Sequence, residues 1–137
     1  MKKIIFLLFA AGFFLAVNAQ TDTTAKKDIN TMVELTNGNY DMGKISSGKP
    51  LEFNVYIKNI STDTLVIVNV QVGCGCTTPK YKKADTIAPG NSTFITLGFN
   101  GSAVGDFTKY ADIIFKNGLT KRVNFHGTAV PDPPKVQ

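Results

Sequence analysis

The residues of this 137-residue chain best suited to chemistry are two cysteines one residue apart, in Val72-Gly73-Cys74-Gly75-Cys76-Thr77-Thr78-Pro79. Side chains at i and i+2 of an extended chain point to the same side, so the sulfurs of Cys74 and Cys76 can approach each other. Gly73 and Gly75 give the backbone freedom to curl, and Pro79 is expected to end the segment. Three chemistries fit this spacing. A Cys74–Cys76 disulfide would close a very short loop, and cross-linking stabilises least when the loop is short. Its Cα separation should fall within about 4.4–6.8 Å, and an extended i,i+2 pair lies near the upper limit. The bridge is therefore expected to be strained and easily reduced. Alternatively, two thiolates suit Cu(I) or part of a Zn(II) site. Zinc would want two further ligands, and the remaining soft donors, His126, Met32 and Met42, are not tied to the pair by spacing. The third chemistry is thiol–disulfide exchange, although redox pairs usually begin a helix as Cys-x-x-Cys and no helix pattern follows here. The structural bridge is taken first, with the metal and redox readings open beside it.

No other residues form a chemical constellation. His126 is the only histidine and falls on the polar face of an alternating segment. A hydrolytic triad needs a histidine positioned beside a nucleophile and an orienting acid, which the sequence does not identify. Gly98, Gly101 and Gly105 read as turn and bulge glycines, because no helix follows to cap a phosphate. The expectation is a protein without catalytic or cofactor-binding residues, and not an enzyme. The formal charge of +5 is carried by scattered lysines, which gives little reason to expect a nucleic-acid partner.

The elements that position the cysteines read as β-strands. Leu51, Phe53, Val55 and Ile57 alternate with Glu52, Asn54, Tyr56 and Lys58, the period of a half-buried strand. The turn-rich run Asn59-Ile60-Ser61-Thr62-Asp63 leads to a second strand from Thr64 to Val72, apolar on nearly both faces and so placed centrally. Pro89-Gly90 turns the chain before Thr93 to Phe99, with Ile95, Leu97 and Phe99 on one face. A strand from Phe107 to Phe115 is followed by Lys116-Asn117-Gly118-Leu119. Asn-Gly between strand-like runs predicts a tight hairpin with a type I′ turn. The return strand, Thr120 to Ala129, places Val123, Phe125 and Gly127 opposite Arg122, Asn124, His126 and Thr128. With a short opening strand near Tyr40 to Ile45, about seven strands follow one another at turn spacings of 8–12 residues. This predicts an all-β, immunoglobulin-like antiparallel β-sandwich, with a small barrel as the alternative.

The ends carry different information. Met1-Lys2-Lys3, the apolar run from Ile4 to Val17 and the small residues of Val17-Asn18-Ala19 make a secretory signal, residues 1–19, cut ahead of Gln20. The run is shorter than the roughly 20 apolar residues of a spanning helix. No membrane span is therefore expected after cleavage, and the absence of a cysteine near the cut speaks against acylation. The mature chain of 118 residues, with a charge of +3, is large enough for one domain. Residues 20–31 are polar and aperiodic, and read as a flexible lead-in. The domain is placed at 32–130, and Pro131-Asp132-Pro133-Pro134 opens a disordered tail, 131–137. Export places the protein in the periplasm or outside the cell, as a soluble species, where disulfides persist.

Several of these motifs together resemble a known family. They are Tyr40-Asp41-Met42-Gly43-Lys44-Ile45, the strand ending in Asn59, Gly73-Cys74-Gly75-Cys76-Thr77-Thr78-Pro79, Ile87-Ala88-Pro89-Gly90 and Phe125-His126-Gly127-Thr128-Ala129-Val130. The family is the bacterial secreted domain of unknown function numbered fifteen seventy-three, and the resemblance covers roughly residues 36–130. It is similar in fold to immunoglobulin-like modules of the hydin and abnormal-spindle type. The resemblance implies a protein-interaction module, binding an unknown protein or envelope partner, without enzymatic activity. It also suggests O-glycosylation at Asp-Thr sites of exported proteins, here Thr23, Thr64 and Thr86, against the plain alternative that Asp and Thr are common turn residues.

Overall fold

The computed structural model describes residues 27–116 and 118–131. Nine strands are present among them: β1 (Val33–Thr36), β2 (Asn39–Ser46), β3 (Leu51–Asn59), β4 (Leu65–Val72), β5 (Thr77–Lys80), β6 (Asp85–Ile87), β7 (Ser92–Phe99), β8 (Gly105–Phe115) and β9 (Thr120–Val130). They form a sandwich of a four-stranded sheet, in the order β1-β3-β7-β5, and a five-stranded sheet, in the order β2-β9-β8-β4-β6. The expected immunoglobulin-like sandwich is thus present, with nine strands in place of about seven. The three strands without a counterpart among the six named from the sequence, β1, β5 and β6, have only three or four residues each and all lie at sheet edges.

Alternation puts the core where the sequence suggests. Phe53, Val55 and Ile57 of β3, Ile95, Leu97 and Phe99 of β7, Ala111, Ile113 and Phe115 of β8, and Val123 and Phe125 of β9 are buried between the sheets. Phe99 stacks on Phe107 with ring centroids 4.9 Å apart and meets Phe125 edge-on at 5.9 Å, while Phe53 meets Phe125 at 5.3 Å. Each such aromatic pair adds about 0.5–1.5 kcal/mol beyond its area burial.

Four sequence expectations are corrected. First, the sandwich is not wholly antiparallel, because β2 runs parallel to β9, with Asn39 opposite Asn124 and Ser46 opposite Val130. The cause is local. β1 and β2 are joined by two residues yet lie in different sheets, and Asn37 makes the switch at φ +63°. Asparagine tolerates this left-handed region, and its Nδ2 donates to the Asn54 carbonyl at 3.0 Å. Second, Pro79 does not end the cysteine segment but sits inside β5, opposite Leu97. β5 is an edge strand, where the missing N–H costs no ladder bond. Third, β4 is not central. It lies one strand from the edge, covered beyond Ile67 by β8 alone, and Asn69 and Gln71 are exposed. Fourth, the β8–β9 hairpin closes through Phe115 N–H to Leu119 C=O and Gly118 N–H to Phe115 C=O, both at 2.9 Å. These bonds span a three-residue loop with Gly118 at φ +78°, not the two-residue type I′ turn.

Ile29–Thr31 form a 3-10 turn, capped by the Asp28 side chain accepting from Asn30 N–H at 2.9 Å. The signal segment, Thr23, Asn117 and residues 132–137 lie outside the described residues.

Candidate functional site

The cysteine segment is the connection that carries the chain from one sheet to the other. β4 ends in the five-stranded sheet at Val72, and β5 begins in the four-stranded sheet at Thr77. Gly73 keeps a last tie to the first sheet, its N–H donating to the Tyr110 carbonyl at 3.2 Å. The Tyr110 ring lies so close that a Cβ on Gly73 would come within 2.6 Å of it, and only glycine passes without displacing the ring. Thr77 N–H donates to the Cys74 carbonyl at 3.3 Å, and Asn100 N–H, just past β7, donates to the Cys76 carbonyl at 3.0 Å.

Within this turn the Cα atoms of Cys74 and Cys76 are 5.3 Å apart and the two sulfurs are joined as a disulfide. The segment is curled and not extended, so the Cα separation falls mid-range and not at the upper limit that the sequence suggested. Both cysteines are half-buried, and Cys76 packs against the core. Thr77 is almost fully buried, at 4% exposure. Its Oγ1 lies 3.7 Å from Cys74 Sγ and 3.9 Å from Cys76 Sγ.

The sheet order separates the other candidate soft donors from this pair. Met32 precedes β1, at the opposite edge of the four-stranded sheet from β5. Met42 lies in β2, with β9 and β8 between it and β4, and His126 lies in β9. Among the described residues, no group of three or more His, Cys, Asp or Glu side chains is placed to hold a metal ion. His126 instead has Asp41 beside it. The parallel pairing of β2 and β9 sets the two opposite each other, with Nε2 3.9 Å from Asp41 Oδ1. The sequence reading missed this neighbour because it did not pair β2 with β9. That separation exceeds a hydrogen bond, and both side chains are well exposed, so the pair contributes little to stability.

Two further surface features flank these elements. On the outer face of the five-stranded sheet, Arg122 Nε and Nη2 each donate to Asp112 at 2.8 Å. The guanidinium also stacks 4.0 Å from the centroid of the Tyr110 ring. The hydrogen bond from Arg122 holds the Asp112 carboxyl below its usual range, and burial opposes it. On the outer face of the four-stranded sheet, Tyr56 and Phe94 sit directly opposite each other, 47% and 54% exposed, with ring centroids 6.0 Å apart. The charges around them are matched: Glu34 lies opposite Lys58, and Lys80 pairs with Glu52. Thr96 Oγ1 donates to Asn54 Oδ1 at 2.7 Å beside the aromatic pair.

A family model described as "Protein of unknown function (DUF1573)" matches residues 33–129. No curated protein matches the chain. Among solved structures, a protein of unknown function from Porphyromonas gingivalis W83 is similar with a TM-score of 0.59 and 18% identity, over 71% of this chain and 46% of that one. The VesB protease of Vibrio cholerae gives a TM-score of 0.60 at 12% identity, over 74% of this chain and 33% of that one. The ASH / PapD-like domain 7 of human CEP192 gives 0.57 at 11% identity, over 93% of this chain and 100% of that one. The chain therefore spans less than half the length of the first two. At these identities the likeness is one of fold.

Proposed function

The chain belongs to the DUF1573 family, and from that premise we propose an exported, non-enzymatic β-sandwich module that binds another protein or an envelope component. In this reading residues 1–19 are the cleaved signal, 20–31 the lead-in, 32–130 the module and 131–137 a tail, with the mature protein in the periplasm or outside the cell. Among the described residues no helix is long and apolar enough to cross a membrane.

The observation that carries the interaction role is the Tyr56–Phe94 pair. Large rings half exposed at the centre of a sheet face gain little for the fold of a monomer. Exposed apolar patches rimmed by polar residues mark interaction surfaces, and aromatic side chains are enriched where partners bind. The matched charges around the rings leave the face electrically neutral, so the rings and their amide and hydroxyl neighbours would dominate recognition. The test is a pull-down from the native envelope with wild type and a Tyr56→Ser/Phe94→Ser variant, folding being checked by circular dichroism. A partner held by wild type and lost by the variant supports this face. Equal capture by both would overturn it.

A second reading uses the approach of the two sulfurs: once reduced, Cys74 and Cys76 could hold Cu(I) between two thiolates. Titration of the reduced protein with Cu(I) decides it. Tight binding that disappears in Cys74→Ser/Cys76→Ser supports a metal role, and no binding removes it.

A further inference from the structure

We propose that Cys74 and Cys76 form a thiol–disulfide exchange centre, in which the buried Thr77 hydroxyl supports the thiolate released on reduction and the co-reactant is a dithiol. Three observations carry this.

The first is that the bridge is nearly dispensable to the turn that holds it. Gly73 N–H to Tyr110, Thr77 N–H to Cys74 and Asn100 N–H to Cys76 are all backbone bonds, and none needs the sulfurs. A cross-link between residues i and i+2 also removes little chain entropy. Opening the bridge should therefore leave the inter-sheet connection in place.

The second is access. Gly75 offers no side chain between the cysteines, and beyond its two chain neighbours no residue has an atom within 4 Å of where a Cβ there would lie. Cys76 packs against the core whereas Cys74 does not, so an incoming thiolate reaches Cys74 Sγ first.

The third is the hydroxyl. Thr77 Oγ1 is within sulfur hydrogen-bond range of both sulfurs and makes no other hydrogen bond among the described residues. A disulfide sulfur is a weak acceptor and a thiolate a strong one. The contact is consequently worth more after reduction than before it, and favours the reduced state.

The exchange then runs in two steps. One thiolate of the co-reactant attacks Cys74 Sγ, forming a mixed disulfide, and the electron pair of the broken S–S bond leaves on Cys76 Sγ beside Thr77. The second thiolate of the co-reactant attacks its own sulfur in the mixed disulfide and releases Cys74. The co-reactant departs as a disulfide, oxidised by two electrons, and the chain keeps both electrons: Cys74 takes up one proton as a thiol, Cys76 stays a thiolate beside the Thr77 hydroxyl, and the second proton passes to solvent.

None of these residues belongs to the Tyr56–Phe94 face, so the two proposals fail separately. The experiment equilibrates the folded chain in thiol buffers of known ratio and counts alkylated cysteines by mass, at urea concentrations below unfolding. Reduction at a rate independent of urea is expected. Reduction that occurs only through unfolding would overturn the proposal. Thr77→Val should lower the ratio of reduced to oxidised chain about tenfold, the worth of one hydrogen bond to a charged acceptor, and Thr77→Ser should restore it. A ratio unchanged in Thr77→Val would remove Thr77 from the mechanism. If Thr77→Val does not fold, the urea dependence of the wild type still decides. Dithiothreitol and a reduced, denatured polypeptide with two cysteines separate the sources of dithiol. Oxidation of either supports the centre and names its class, and oxidation of neither refutes it.

Discussion

Asn59 offers a sharp test of how the sandwich is held at the end opposite the cysteines. Its side chain is fully buried and uses its whole hydrogen-bonding capacity. Nδ2 donates to the carbonyls of Asp63 at 2.7 Å and Ile87 at 2.9 Å, while Oδ1 accepts from Ser61 N–H at 3.0 Å and Ser61 Oγ at 2.7 Å. One amide thus ties the end of β3 to the turn that follows and to the last residue of β6. Asn59→Ala removes all four bonds. At a net ~1 kcal/mol each the ceiling is about 4 kcal/mol. The Ser61 and Asp63 partners border solvent and can turn to water, which lowers the expected loss to about 3 kcal/mol. That is a large part of the roughly 5–15 kcal/mol of a domain.

Asn59→Asp is the more discriminating variant, because it sets an oxygen where Nδ2 now donates to two carbonyls. A buried carboxylate there is disfavoured, so its folded pKa is raised above the unfolded value of about 3.9. Stability linked to the protonated form is then fully present below the unfolded pKa and lost as pH rises through the folded one. Urea unfolding by far-ultraviolet circular dichroism, with wild type measured at each pH, should show Asn59→Asp losing more than Asn59→Ala at pH 7 and less at pH 4. The reasoning is refuted if either variant stays within about 0.5 kcal/mol of wild type at pH 7, a surface-like effect, or if their order does not invert.

Other outcomes follow from the opposite face and end. The Asp112 carboxyl is held down by Arg122, so its contribution is present above the unfolded carboxylate pKa and lost as pH falls through the lower, folded value. The stability gap between wild type and Asp112→Asn should be steady near neutrality and close in acid, and a gap that widens on acidification would contradict this. Gly73→Ala should cost about 1 kcal/mol, since the Tyr110 ring can swing outward at the expense of its stacking with Arg122. In a Tyr110→Ser background the same substitution should cost almost nothing, and equal costs in the two backgrounds would show that the ring is not the obstacle. Asn59→Ala and Cys74→Ser/Cys76→Ser should be additive within about 0.5 kcal/mol, because the eight residues of β4 separate their sites by roughly 25 Å. A larger coupling in denaturant melts would mean that the two ends communicate.

Legibility in the sequence tracked length and alternation. β3, β7, β8 and β9 each run for eight or more residues with one face buried, enough for period two to stand out. β1, β5 and β6 have too few residues for any period, and β5 is further masked by Pro79, a breaker in a central strand but harmless at an edge. The parallel pairing of β2 with β9 depends on a sheet switch at Asn37 that no local pattern announces. At the candidate site the sulfur pair was readable from its spacing, whereas Thr77 resembles ordinary turn composition and acquires its role only through burial beside both sulfurs. Asn59 ends an apolar alternation in a core-facing register position, and Ser61 and Asp63 follow at spacings suited to side-chain-to-backbone bonds. That combination is the signal that could have marked a buried polar hub.

The two ends of the sandwich are consequently fastened by different means, and the difference bears on function. The Asn59 end is locked by neutral hydrogen bonds that neither oxidant nor reductant can alter. The other end carries the bridge, in a connection whose backbone bonds do not depend on it. β5, the strand entered from the bridge, is a four-residue edge strand, and edge segments of this kind open at low cost compared with a core strand. A redox change at Cys74 and Cys76 can therefore be felt by β5 and the adjoining turn while β3, β7, β8 and β9 keep the core closed. Exchange chemistry needs this arrangement, a labile bond on a frame that stays folded through both states. A bridge whose main task was stability would more naturally close a long loop between distant strands, where the entropy gain is larger.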